Sequence, residues 1–257
     1  MVSLAEISRY LDSLLRTEEF LDYPNALNGV QVDVDAEIHG VAAAVDARQR
    51  SIQGALDAGA NLLLVHHGLF WGGLQPLRGP HLRRVQQMLR GRLALYSSHL
   101  PLDAHPSLGN NVLLARELGL VPAGGFARYG TIDIGVTGDD DVPTSELLDR
   151  VALFATRNGG IARCSGFPEN AITRRWAICT GSGASAETLQ EAVEKRVDTL
   201  IVGEGPHWTA VDADEIGLAI IYAGHYATET LGVRALAQNL SDAFSLPWSF
   251  IDVPTGL

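Results

Sequence analysis

Hydrophobic positions along the chain alternate between two periods. Leu4, Ile7, Leu11, Leu14 and Leu15 recur at helical spacing, and Ser3 followed by Glu6 gives the capping-box pattern, so a helix is expected over 3–15. After a turn at Tyr23-Pro24-Asn25, the stretch from Leu27 to Val32 reads as a turn feeding a short strand. Val41–Val45, Leu62–Val65 and Leu93–Tyr96 are short apolar runs of the kind buried strands show. Between them, 51–59 and 81–89 carry helical patterns, the first ended by Gly59. A further helix is expected over 111–118, capped by Asn110.

This pattern repeats. Trp176–Thr180 matches the strand at Val41, Leu189–Val193 matches Ile52–Leu56, and Thr199–Val202 matches Leu62–Val65; the last two pairs share an offset of 137 residues. Ala219–Tyr222 matches Leu93–Tyr96, and a histidine follows each, His225 and His99. Each histidine has a carboxylate four residues on, Glu229 and Asp103. Two related strand-helix-strand halves follow, an α/β class in which ligands gather at the carboxyl ends of strands. Between the halves, 126–171 holds a strand candidate (131–136), an acidic turn at Asp139-Asp140-Asp141, a helix (145–155) and a glycine-rich segment. The expected domains are 1–125 with 223–257, carrying most of the candidate ligands, and 126–222.

Composition narrows the functional classes. With 257 residues, 46% apolar and 19% charged, the chain can bury one large core or two small ones. No apolar run reaches the ~18 residues of a membrane helix, and the start lacks the form of a signal peptide, so a cytoplasmic protein without a membrane partner is expected. Thirty acids against 19 bases, with no basic tract beyond Arg83-Arg84 and Arg174-Arg175, argue against a non-specific hold on nucleic acid. Cys164 and Cys179 lack both a disulfide framework and metal-knuckle spacing, and read as buried thiols.

The candidate chemistry lies just past the apolar strands, at His66-His67, His99-x3-Asp103, Gly203-Glu204 and His225-x3-Glu229. Imidazole with carboxylate suits zinc, iron, manganese or nickel. Residues four apart share a helical face, so His225 and Glu229 can meet one ion or two neighbouring ones. Adjacent His66 and His67 project to opposite sides of a strand, and serve two ions if the strand breaks at Gly68. His99 fits either a ligand or a group that holds Asp103 or a water. The turn Gly181-Ser182-Gly183 before a helix is either an anion cradle or a plain tight turn. It is not a Walker A loop, and no serine elbow occurs. His39, His81, His105 and His207 have no partner at ligand spacing and are expected to be surface or structural.

Leu27-Asn-Gly-Val-Gln-Val32, Val65-His-His-Gly68, Ser98-His-Leu-Pro-Leu-Asp103 with Gly109-Asn-Asn111, Cys179-Thr-Gly-Ser-Gly183, Val202-Gly-Glu204 and Ala223-Gly-His-Tyr-Ala-Thr-Glu229 resemble, in order, the motifs of the NIF-three-like dinuclear-metal family. Bacterial members of that family are commonly labelled GTP cyclohydrolase I type 2 homologues. The resemblance spans essentially the whole chain, in the compact form without an inserted domain. It implies two interlocked α/β domains in a toroidal homohexamer, and two divalent ions per chain held by His66, His67, Asp103, His225 and Glu229, with Glu229 bridging.

The activity expected is a dinuclear metal-dependent hydrolase that opens the imidazole ring of guanine in GTP. His99 or Glu204 would shuttle the proton and the Gly181–Gly183 turn would receive phosphate. Two other readings use the same residues. One is a metal-dependent phosphoesterase or pyrophosphatase; the other is a non-catalytic protein that binds or delivers metal, or a scaffold.

Overall fold

The computed structural model describes residues 2–257. The chain forms two compact units, Met1–His105 with Gly232–Val253 and Pro106–Leu231 with Pro254–Leu257. Each is a twisted sheet with helices, and each contains one copy of the repeat.

In the first unit the sheet runs Trp248–Phe250, Val41–Asp46, Leu62–His67, Ala94–Ser97, Gly29–Val32; the first four strands are parallel and the last is antiparallel. Val41 to Val45 and Leu62 to Val65 are all at most 2% exposed, which is why they read as unbroken apolar runs rather than alternating ones. The N-terminal helix Leu4–Leu15 forms as its pattern predicts. The Ser3 side chain accepts from the Glu6 amide, Leu4, Ile7, Leu11 and Leu15 are buried, and Arg16 ends the helix at φ 52°. Tyr96, fully buried in the sheet, donates its hydroxyl to Asp12 Oδ1 at 2.7 Å and so ties that helix to the strand. Burial and the neighbouring Asp12 carboxylate hold the Tyr96 hydroxyl protonated far above the ordinary phenol range.

In the second unit the order is Gly124–Tyr129, Ile132–Pro143, Ile172–Cys179, Thr199–Val202, Ala219–Tyr222, Arg163–Cys164, with the three strands of the repeat parallel and the others antiparallel. Alternation sorts its residues. Trp176 and Ile178, Ile201 and Ile221 pack on one face with Leu114, Leu147, Val151 and Phe154, and Ala177, Cys179, Leu200, Val202 and Ile220 pack on the other with Phe126, Leu189 and Ala213.

Several expectations shift. The helix expected at 111–118 is Asn110–Glu117, capped by Gly109 rather than Asn110. It belongs to the second unit because Leu114 and Ala115 bury there with Trp176. The segment 223–231 also falls in the second unit, placing His225 and Glu229 there. The acidic Asp139-Asp140-Asp141 is not a turn but the exposed end of the strand Ile132–Pro143, where Asp139 pairs with Arg175 on the next strand at 2.7 Å. Neither cysteine forms a disulfide; Cys179 is buried, and partial burial pushes the Cys164 thiol up to about 11.

The repeat is real in topology but one residue out in its last strand. Leu62 pairs with Ala94 and Thr199 with Ala219, so the register equates Ala94, not Leu93, with Ala219. A one-residue slip reverses every side chain, so Tyr96 and Tyr222 are not counterparts. The same slip carries into the next turn. His99 caps the helix Leu100–Asp103, whereas Gly224 caps the helix His225–Thr228. The two H-x3-acid motifs therefore occupy different positions in equivalent folds.

Trp176, fully buried, lies against Gly138, where an added Cβ would meet the Trp176 ring at 2.6 Å and the Val121 carbonyl oxygen at 2.5 Å. Gly138→Ala is expected to destabilise by about 1–3 kcal/mol through overpacking. At this chain size that lowers Tm by roughly 2–10 °C in a thermal melt.

Candidate metal centre

In the first unit, three neighbouring parallel strands deliver the site from their carboxyl ends. The central strand ends in His66 and His67, the strand on one side ends in Asp46 opposite His67, and the chain leaving the strand on the other side gives His99 and Asp103. The rings of His66 and His67 lie 4.8 Å apart although the residues are adjacent in the strand, and His99 lies 4.8 Å from His66 and 5.7 Å from His67. One ring nitrogen from each of the three falls within 4.8 Å of the others. His66 and His99 are buried, and Asp103 is 8% exposed.

Each of these rings is held by its Nδ1. His66 Nδ1 meets the Ser98 carbonyl at 3.0 Å, His67 Nδ1 meets Asp46 Oδ1 at 3.0 Å, and His99 Nδ1 meets Asp22 Oδ1 at 2.9 Å. Every partner is an acceptor, so each Nδ1 carries a proton and Nε2 is the ring atom left to bind a ligand. Asp22 is itself fixed, taking hydrogen bonds from the Leu100 amide at 2.9 Å and from Asn28 Nδ2 at 2.8 Å, while Asn28 Oδ1 receives the His99 amide at 2.7 Å. Burial pushes the Asp22 carboxyl upward, but His99, Asn28 and the Leu100 amide together hold it below the usual carboxylate range. Gln31 fastens the neighbouring turn, accepting from the Leu69 amide and donating to the Ala26 and Leu27 carbonyls. A Cβ at Gly68 would lie 2.2 Å from Gln31 Nε2, so a larger residue there would displace the Gln31 amide.

The second unit repeats the device. Its three parallel strands end at Cys179, Val202 and Tyr222, and the chain past them supplies Thr180-Gly181, Gly203-Glu204 and Gly224-His225. His225 Nδ1 meets Glu204 Oε1 at 2.8 Å and its Nε2 lies 3.1 Å from Glu229 Oε2. Glu229 is nearly inaccessible, while Glu204 is 43% exposed. The turn at Gly181 serves this pair. Its φ is +62°, and a Cβ would lie 2.2 Å from Glu229 Oε1 and 3.5 Å from His225 Nε2, so only glycine lets the backbone approach. The Gly181 amide donates to Thr228 Oγ1 and its carbonyl receives the Glu204 amide. Ser182 Oγ reaches Glu204 Oε1 at 3.2 Å, and Ser185 caps the following helix with its own side chain. The turn thus braces Glu229 and Glu204 within its own unit.

The donor set fits divalent metal. Bonds of ~2.1 Å put two ligands of one ion ~3.0–3.4 Å apart in octahedral or tetrahedral geometry. The Nε2–carboxylate distances of His66–Asp103, 3.4 Å, and His225–Glu229, 3.1 Å, match that spacing. Fixed Nδ1–H groups on carboxylate or carbonyl acceptors are the arrangement that orients metal-ligating imidazoles.

Asp22, Asp46 and Asn28 escaped the sequence reading because none stands at ligand spacing from its histidine; their partners lie 77, 21 and 71 residues away. Asp46 carried one usable signal, an acid at the end of an apolar strand. His81, expected to be surface or structural, is buried with its ring edge-on to Phe70 and belongs to the packing.

Burial depresses the His225 pKa, but Glu229 and Glu204 together overcome this and raise it to about 9. Because the folded value lies above the unfolded value of ~6.5, the ion pair's contribution to stability is complete below pH 6.5 and is lost as pH rises through 9. Metal-free protein should therefore lose Tm between pH 6.5 and 9, and Glu204→Gln should shrink that loss; equal slopes in both would contradict it.

The Duf34/NIF3 (NGG1p interacting factor 3) family model matches residues 2–255. A Deinococcus radiodurans protein named GTP cyclohydrolase 1 type 2 homolog is 40% identical over 254 residues, covering 98% of this chain and 94% of its own. An Archaeoglobus fulgidus protein of the same name is 36% identical, with all of both chains covered. The crystal structure of a Thermus thermophilus protein is similar over 100% of both chains at 37% identity and a TM-score of 0.84. On sequence, topology and length together, the chain belongs to the Duf34/NIF3 family.

Proposed function

We propose that the protein is a dinuclear metal-dependent hydrolase, with His66, His67, Asp103, His225 and Glu229 as ligands to two divalent ions and Glu229 as the bridge. The observation that carries this reading is the convergence of His66 and His67, each with Nδ1 committed to an acceptor and with Asp103 beside His66 Nε2, next to His99. Imidazole nitrogens gathered beside a carboxylate are a donor set that suits a divalent cation. When bound, paired divalent ions supply a water acidic enough to ionise near neutral pH and polarise the group it attacks.

The chain's own residues divide the remaining work. His99, with Asp22 on its Nδ1, presents Nε2 to accept a proton and return it to the leaving group. Asp22 positions that ring and stabilises its charged form. Glu204, a candidate proton shuttle by sequence, holds Nδ1 of His225 and acts as a positioning residue. The substrate proposed is a purine nucleotide, opened hydrolytically at the guanine imidazole ring. This reading is supported by the relatives' name, GTP cyclohydrolase 1 type 2 homolog. We further propose the homohexameric ring that the sequence resemblance implies.

Elemental analysis of untagged protein purified without chelators should give about two divalent ions per chain. His66→Ala and Glu229→Ala should each lose most of that metal. Metal-replete enzyme given GTP should release formate; release of phosphate instead would move the reaction to phosphoester cleavage, and no turnover would leave a metal-binding protein. Light scattering on the same sample should give six times the chain mass of 27.5 kDa, and a monomer would contradict the ring.

A further inference from the structure

Beside the imidazoles of the first unit stand two aromatic side chains that no ligand role uses. Trp71 lies edge-on to His99 with centroids 4.7 Å apart and to His67 at 5.3 Å. Tyr23 lies 5.9 Å from His99 and 6.2 Å from Trp71. They come from separate segments, the turn after Asp22 and the loop after Gly68. Those segments are tied together, since Asn25 Nδ2 donates to the Trp71 carbonyl at 3.3 Å. Tyr23 is 48% exposed and Trp71 half-buried, so the pair presents ring surface to solvent at the border of the imidazole cluster.

We infer that Tyr23 and Trp71 form a stacking surface for a flat conjugated ring, so that the site selects a nucleobase-like heterocycle over a sugar phosphate or a peptide. This rests on the reading of the site as one that takes a substrate. An open aromatic face beside catalytic groups binds planar rings through stacking, with little demand on which ring it is. The carboxylates of Asp22, Asp46 and Asp103 are committed to His99, His67 and His66, and Tyr23 and Trp71 carry no formal charge to hold a phosphate on this wall. Ring stacking is the attractive contact this wall offers. The surface is also placed for the reaction. Both rings flank His99, so a heterocycle held on them lies beside the imidazole cluster.

The test uses zinc-loaded, full-length protein and tryptophan fluorescence, titrated separately with guanosine and with ribose 5-phosphate. Guanosine should quench the wild type saturably and ribose 5-phosphate should not. Trp71→Phe should abolish most of the quenching, since Trp176, Trp208 and Trp248 remain as reporters elsewhere. Tyr23→Leu should weaken guanosine binding by about fivefold or more, the lower end of what loss of one stacking partner costs. Trp71→Leu should raise KM for the nucleotide by a similar factor, Trp71→Phe should restore it, and zinc content should match wild type in both.

Quenching that is absent, equally strong with ribose 5-phosphate, or unchanged in Trp71→Phe would overturn the inference. So would zinc loss in Trp71→Leu, because Trp71 would then only prop His99. Saturable quenching by guanosine without any turnover would remove the hydrolase reading and leave the stacking surface standing. Turnover without quenching would do the reverse.

Discussion

An imidazole ring can offer its lone pair from either nitrogen, and this protein removes that freedom at every histidine of its site. Ser98, Asp46, Asp22 and Glu204 each occupy one Nδ1, and the rings can then present only Nε2. The rest of the arrangement follows from that constraint. Three of these acceptors, Asp46, Ser98 and Glu204, sit at or just past the ends of parallel strands, where register fixes their spacing, and Asp22 is held by Asn28 and the Leu100 amide instead. Asp46 faces His67 across the ladder for this reason.

The glycines serve the same end. Gly68 makes room for the Gln31 amide that binds two turns together, and Gly181 lets the backbone close on Glu229 and His225. In both places a methyl group would push aside a side chain, the Gln31 amide at Gly68 and the Glu229 carboxylate at Gly181. The Gly181-Ser182-Gly183 turn, open from sequence to either a cradle or a tight turn, packs Gly181 against a Glu229 carboxylate nearly inaccessible to solvent. Burial of that kind raises the cost of leaving the carboxylate unpaired and so favours a bound cation or a charged histidine at its side.

Much of the scaffold was legible in the sequence because buried parallel strands write themselves as short apolar runs and amphipathic helices as spaced ones. The topological repeat and the cluster of histidines past its strands were visible in Val41, Leu62, Trp176 and Thr199 for that reason. What was not legible depends on contacts far apart in the chain. No spacing rule connects Asp22 to His99 or Asn28 to the His99 amide, and the single-residue slip that makes His99 the counterpart of Gly224 appears only in the strand register. Asp139 to Asp141 misled in the other direction, since three acids in a row look like a turn when no partner strand with Arg175 is in view.

The most direct measurement is a crystal structure of zinc-loaded protein with anomalous scattering at the zinc edge. The account predicts zinc bonded through Nε2 of His66, His67 and His225, with Nδ1 of each still on Ser98, Asp46 and Glu204. Zinc bonded through an Nδ1 atom, or bound elsewhere with these rings unliganded, would contradict it.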